Sequence, residues 1–527
     1  CLGFFDFDSI PGSLAKNAAK RVGMITTVPN WCLARNFNAV ALNLTMCLRI
    51  RIFILLVSLI LVPVGFGQQD KIGGKQSITD QKIEMTILGI AEWLPSRITV
   101  NMANELFSKY VKEKYGYEVS FTFEQAPFTN LLQKASLSLA TRSQRFNIII
   151  SDSQWLGTLA EHDWIVQLNN IINENLELKQ IKWLDPIVEK AYMIYPDGST
   201  NFWGMPQEGD VMLLYVRKDL LEDPDEQKAF KVKYGFDLPQ TYNDFLSLTM
   251  DKYEKMCEFF THPSKGLYGL AAQFSRGYDF MSVSLHSFIW SRGGQIWNEK
   301  NRQVWGILNT HENAQSLEQL VSLLKYTPQD EILDYGITEV SRAFAEGKVF
   351  SALNWAAIGN DMVPMHMRNK VLIVPPPSYK INGEIQRIYS IGGQPWVINK
   401  FNDANHMKVT IDFLKWWYLP ETQLEFAKRG GSPVTKAFFE IPGYENIQPW
   451  FKAYKYMLTE EHAKDFWHEP SYFEILSIQQ KAITDYASGK VTHAQQVLDY
   501  VAYTLQLILY ESARSQIPPP PPPITLY

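Results

Sequence analysis

The reading of the fold turns on VSRAFAEGKVFSALNWAAIGNDM (340–362), followed by KVLIVPPPSYKINGE (370–384) and RIYSIGGQPWVIN (387–399). These segments read as a helix, a strand ending at Asn354-Trp355, a second strand stopped by three prolines, and a third strand interrupted by Gly392-Gly393. The apolar runs Val349 to Leu353 and Val371 to Val374 are short and bounded by breakers, as expected of strands covered on both faces in an α/β sheet. In open sheets of that class, ligands lie outside the carboxyl ends of the strands. Trp355 stands where one strand stops, and the glycine pair opens the backbone just before Trp396. The order of parts points to a ligand cleft.

Working outward, strands alternate with helices from residue 83, the signature of βαβ units and a largely parallel sheet. Ile83 to Ile90, Glu118 to Phe123 and Phe146 to Ile150 read as strands, with helical spacing over Val100 to Lys114 and Leu131 to Leu139. Farther on, Val211 to Val216 and Tyr268 to Gln273 read as strands. Met281 to Trp290 and Met407 to Tyr418 read as helices, and Thr241 is a helix cap. Six prolines, Pro518 to Pro523, cannot form helix or interior strand and are expected to extend in a disordered tail from residue 506.

Met46 to Arg51 is a basic n-region, Ile52 to Val62 an apolar core of 11 residues, and Val64 to Gly67 a small-residue exit. That pattern is a signal peptide, too short to span a bilayer. Residues 1–45 before it read as upstream translation. Removing residues 1–67 takes six basic and two acidic residues from totals of 50 and 55, leaving 44 Lys+Arg against 53 Asp+Glu, a net charge of −9. So acidic a chain is a poor partner for nucleic acid. Only Cys257 remains of four cysteines, so no intramolecular disulfide forms in the mature chain, and this residue reads as a small core hydrophobe.

The chain has no GxxxxGK[ST] phosphate loop, HExxH, CxxC pair or G-x-S-x-G elbow, so no ATP site, metal, cofactor or nucleophilic serine is expected. Carboxylates at strand ends or in the loops after them are Glu92, Asp152, Glu208, Asp210 and Asp279. They suit a glycoside hydrolase pair, or equally a binding site in which ionised carboxylates accept hydrogen bonds from sugar hydroxyls. Trp93, Trp155, Tyr278, Trp297, Trp355 and Trp396 stand beside glycines or where strands give way to loops. An aromatic face packs on the C–H face of a pyranose, while polar neighbours fix its hydroxyls.

NIIISDSQWLGTLAEHDWIVQL, FWGMPQEGDVMLLYVRKDLLED, TYNDFL, AEGKVFSALNW, GGQPWVIN and DFLKWWYLPETQLEFAKRGGSP occur in an order that resembles the family 1 extracellular solute-binding proteins of ABC importers, the maltose-binding-protein-like group. The resemblance spans about residues 82 to 505. It implies an α/β, periplasmic-binding-protein-like fold with two discontinuous lobes, a hinge and an interlobe ligand cleft. The lobes are expected at 68–209 with 393–436 and at 210–392 with 437–505. It further implies a monomer, free in the periplasm, that carries a small molecule, a sugar above all, to the transmembrane subunits of an ABC permease. By the same resemblance Asp152, Ser153, Gln154 and Trp155 lie in a ligand-contacting loop, Trp355 stacks on a sugar ring, Gly393, Gln394 and Trp396 line the cleft, and Glu208 and Asp210 accept hydroxyls. One departure is Val216, where many relatives carry a tyrosine; the aromatic here is Tyr215, and a one-residue shift turns a side chain to the other face of a strand. Alternatives left open are a secreted carbohydrate-active enzyme and a binding protein for a polyol, a glycerol phosphoester or a polyamine. Arg276, Arg292 and Arg429 are the cations a phosphoester would call on.

Overall fold

The computed structural model describes residues 82–91, 93–465 and 468–522. The upstream segment 1–45, the leader 46–67, Glu92 and the last proline lie outside these residues. The described chain falls within the unit Ser77–Tyr527 and is built on a main sheet ordered β2-β1-β3-β10-β4-β6-β5, with β7 also paired to β4 and β11 (Ala463–Lys464) to β10, while β8 (Tyr379–Ile381) and β9 (Glu384–Gln386) form a separate pair.

The early lobe follows its apolar pattern. β1 (Lys82–Ile90) pairs in parallel with β2 (Glu118–Ala126) and β3 (Ile148–Ile150). Helix α1 (Leu94–Met102), continued to Tyr115, and α2 (Phe128–Ala140) make the crossovers, as parallel pairing requires. At the other side of the sheet β5 (Tyr268–Ala271) runs parallel to β6 (Val349–Trp355).

The two central strands correct the expectation of a largely parallel sheet. β4 (Met205–Arg217) is antiparallel to β6 and to β7 (Val371–Val374), and β10 (Tyr389–Ile398) is antiparallel to both β3 and β4. β4 and β10 are long because each serves both groups of strands. The first twelve residues of β4 are buried, the near-continuous burial of a strand covered on both faces. Gly392 pairs with Asp210 and Gly393 with Gly209 where the two cross. The register slips between Gln394 and Pro395, so that Pro395 opposes Pro206 and Gln207 is the extra residue. Prolines cannot donate to the ladder, and a bulge accommodates them.

Helix α3 (Phe280–Ser291) has its last eleven residues buried, on every face, which requires its hydroxyls to find partners. They do so along the start of β10. Ser291 Oγ donates to Ile388 O at 2.6 Å, and Ser287 Oγ accepts from Ser390 N at 3.0 Å. α4 (Ile337–Ala345) precedes β6, and α5 (Ala404–Trp417) lays Phe413, Trp416 and Trp417 on the sheet. α6 (Tyr472–Ala487) and α7 (Ala494–Glu511) close the chain. Cys257 is buried among core side chains, its thiol pushed up to about 12 by that burial.

The chain stays ordered past the boundary expected at residue 505. α7 runs to Glu511, Gln506 Nε2 donates to Ile517 O at 2.9 Å, and Ser515 Oγ donates to Asn301 O at 3.0 Å. Arg514 pairs with Glu161. These contacts hold residues 506–517 against the body. The apolar heptad-like run of Leu505, Ile508 and Leu509 is what drives α7 onward.

Candidate functional site

A cavity of ≈ 720 Å³ opens at the ends of the strands, beside the crossing of β4 and β10. Of the sequence-predicted residues, Trp93, Asp152, Gln154, Asp210, Asp279, Trp355, Gly393 and Gln394 line it. They come from six separate segments, which only the sheet topology brings together.

Trp355 is held from both directions. Tyr215 Oη donates to its carbonyl at 2.8 Å, and Asn354 Oδ1 accepts its N–H at 3.1 Å. Asn354 is in turn fixed by Gln273 Nε2 at 2.9 Å and donates to Ile337 O at 3.1 Å. The ring lies over Gly392, where a Cβ would stand 3.0 Å from Cζ3. A glycine is needed there for close approach. Tyr215 is buried in the core. Its part is to anchor the backbone of Trp355, as its one-residue displacement suggests. Trp93 donates from Nε1 to Glu208 Oε1 at 2.5 Å.

Three aspartates are fixed in different ways. Asp152 caps the short turn Ser153–Trp155, its Oδ1 accepting from Gln154 N at 3.1 Å. Asp210 Oδ1 accepts from Val211 N at 2.8 Å and Ala357 N at 2.9 Å. Asp279 sits at the start of α3 and makes no capping hydrogen bond. Burial pushes Asp210 up to about 8 and Asp279 up to about 7. Burial, and then the neighbouring Asp279, raise Asp152 well above the usual carboxylate range. Desolvation disfavours the charged form, and a like charge adds to it.

These shifts set an expected pH dependence. A carboxyl whose folded pKa is raised binds more protons folded than unfolded, so its stabilising contribution is full below about 4 and is lost as pH rises through its folded value. The ligand-free protein should therefore melt lower at pH 8.5 than at pH 5.5. Thermal scans of Asp279→Asn should show a flatter profile than the parent between pH 5 and 8. An unchanged profile would place Asp279 in contact with water.

Six candidate residues among those described stand outside the cavity lining. Ser153 is fully buried behind Asp152, and Glu208 is fully buried beneath Trp93. Trp155 and Tyr278 pack with Phe128, whose ring centroid is 5.8 Å from that of Trp155 and 4.4 Å from that of Tyr278. Phe128 is the member of this trio that reaches the cavity. Tyr278 Oη donates to Gln154 Oε1 at 3.2 Å and so ties two loops together. Trp396 is the clearest correction. It is fully buried, edge-on to Phe413 at 5.2 Å and Trp417 at 5.6 Å, in the layer between the sheet and α5. Trp297 lines a different cavity, with the Arg302 guanidinium 4.4 Å over its ring.

The sequence reading missed one wall. Thr338, Ser341, Arg342 and Ala345 of α4 all line the cavity, and their spacing of three, four and seven is one helical face. Val340, Ala343 and Phe344 form the buried face opposite. That polar stripe has helical spacing in the sequence, beside the apolar one of the same helix. Glu339, Asn360 and Asp361 complete the polar lining. Arg276, Arg292 and Arg429 do not line the cavity. Arg292 lies over Tyr379 and bonds Gln319, and Arg429 is paired with Glu105 and Glu425. Among the described residues no group of three or more His, Cys, Asp or Glu side chains is gathered for a metal ion. Gln394 lines the same cavity and is buried, and among the described residues its Oε1 has no partner.

Comparison with solved structures gives the same fold. The maltose-bound MalE3 protein of T. maritima superposes with a TM-score of 0.65 at 18% identity, covering 81% of this chain and 100% of that one. A solute-binding protein of an ABC transporter from Agrobacterium radiobacter K84, in complex with ribitol, gives 0.65 at 18% identity over 81% and 98%. A third, from Thermotoga lettingae TMO with α-D-tagatose, gives 0.63 at 16% identity over 81% and 99%. All are of the two-lobed α/β architecture that β4 and β10 join here. Residues 105–457 match the model of the bacterial extracellular solute-binding proteins, and the chain belongs to that family.

Proposed function

We propose that this protein is the solute-binding component of an ABC importer and that it captures a carbohydrate or polyol in the ≈ 720 Å³ cavity. The observation that carries the reading is the meeting, in one cavity, of Trp93 and Trp355 with three aspartates, of which Asp152 and Asp210 are set in place by backbone N–H donors. Aromatic faces and acceptor oxygens are the two needs of a ring with hydroxyls. Maltose, ribitol and tagatose in the structural relatives support this class. A phosphoester finds little support, because among the described residues Arg342 is the sole basic side chain of the lining, and it stands 3.9 Å from Glu339.

In this reading the lobes are 68–209 with 393–436 and 210–392 with 437–505, and they meet where Gly209-Asp210 pairs with Gly392-Gly393. Closure about that crossing buries the ligand. A hydroxyl left without a partner then costs roughly 1 to 3 kcal/mol, which is how the site selects among sugars. The protein works as a monomer in the periplasm, without catalysis, and presents the closed form to the permease. A thermal-shift screen of the mature protein against sugars, polyols, phosphoesters and amines tests the reading. A ligand specific for the native state at 100 times its Kd stabilises by about 2.7 kcal/mol, and at least one sugar or polyol should do so. Shifts confined to phosphoesters would overturn it.

A further inference from the structure

Resting on the carbohydrate-or-polyol reading above, we propose that the preferred ligand also carries a protonated amine, as an amino sugar or amino polyol does, and that Asp152, Asp279 and Gln394 receive it. The lining contains Asp152, Asp210, Asp279, Glu339 and Asp361 against one base, Arg342. Arg342 faces Glu339, and Arg97 faces Asp361. Among the described residues no such cation pairs with Asp152 or Asp279. They come from the turn after β3 and from the start of α3, and each raises the electrostatic cost of ionising near the other. The groups that face this pair are Tyr278 on the loop before α3, Tyr472 on α6, and Asp465. Asp465 is already engaged by His468 at 2.6 Å. The facing groups are thus phenols and a neutralised acid.

A neutral sugar would leave the pair either protonated, and so partly donors, or ionised and repelling each other in a dry site. An ammonium removes the conflict, because its three N–H donors match carboxylates that accept only. The independent observation is Gln394. Its Oε1 is unpartnered in a side chain only 3% exposed, on the wall of the same cavity. A buried amide oxygen without a donor is disfavoured, and a ligand N–H satisfies it. The rings of Trp93 and Trp355 on the same lining add faces that attract a cation.

The test compares matched pairs that differ in the amine, by calorimetry on the mature protein: diglucosamine against cellobiose, and glucamine against sorbitol. At pH 7.5 the amine of at least one pair is expected to bind ten times or more tighter than its neutral partner. Titrations in two buffers of different ionisation enthalpy should show proton release on binding glucamine, whose alkylamine is already protonated at pH 7.5, and none on binding sorbitol. Asp279→Asn should lower the ratio of the two affinities at least tenfold. Neutral partners that bind as well as the amines, or glucamine binding without proton release, would overturn the inference and leave the carbohydrate-or-polyol reading standing. Failure of every sugar and polyol, here and in the wider screen, would overturn both.

Discussion

Gly393→Ala should destabilise the protein by roughly 2 to 4 kcal/mol, seen as a lower midpoint in urea with an unchanged slope. Gly393 has φ +97, a conformation that L side chains rarely adopt, and its added Cβ would stand 2.7 Å from Tyr192 Oη and 2.9 Å from both Asp210 N and Glu208 O. The backbone strain alone is of order 1 to 3 kcal/mol. The clash adds to it because two of the three neighbouring atoms are main chain and belong to a paired strand. Tyr192 Oη also donates to Gly392 O at 2.5 Å, so the phenol has little freedom to retreat. A Gly198→Ala control shares the positive φ but has nothing within 4 Å, and should lose only the strain. Equal losses at the two glycines would mean that packing at the crossing of β4 and β10 is slack.

The second large effect separates two tryptophans that look alike in sequence. Trp396→Ala is expected to cost about 3 to 5 kcal/mol of stability, because the ring is enclosed by Phe413, Trp417 and the sheet. Any ligand affinity it loses should be indirect and small. Trp355→Ala should do the reverse. It should weaken sugar or polyol binding on the order of 100-fold, about 2.7 kcal/mol, with a smaller loss of stability than at Trp396. Trp355→Phe should recover part of that affinity by restoring an aromatic face. Denaturant melts and titrations of the three variants with the best ligand of the thermal screen decide the matter. A Trp355→Ala protein that binds normally would place the sugar elsewhere in the cavity.

Most of the strand and helix order was legible, because short apolar runs between breakers and helical spacings are local signals. β6 and β7 were read at nearly their observed bounds. The direction of β4 and β10 was not legible. Antiparallel insertion depends on partners 182 residues apart, Asp210 against Gly392, and no local pattern encodes it. At the site, positions after strand ends were a good guide for Asp152, Asp210 and Trp355, whose backbones the sheet fixes. The guide failed for Trp396, since an aromatic after a glycine pair reads the same whether it faces a cavity or α5. It failed for Glu208 because Trp93 covers it, a tertiary fact. The α4 wall was hidden in plain view: its polar stripe has helical spacing, but polar stripes usually face solvent.

The placement of β10 fixes the order in which the molecule can be assembled. Its residues Trp396 to Ile398 pair with β3, and Ile391 to Trp396 pair with β4. The middle of the sheet is therefore missing until about residue 398 has been made. Pairings so distant in sequence form slowly, since the loop-closure entropy is lost before the contacts form. A chain emerging from the ribosome holds its first strands with an open edge where β10 belongs. The edge closes only when β10 pairs with both β3 and β4, so the sheet becomes continuous only after both groups of strands have been made.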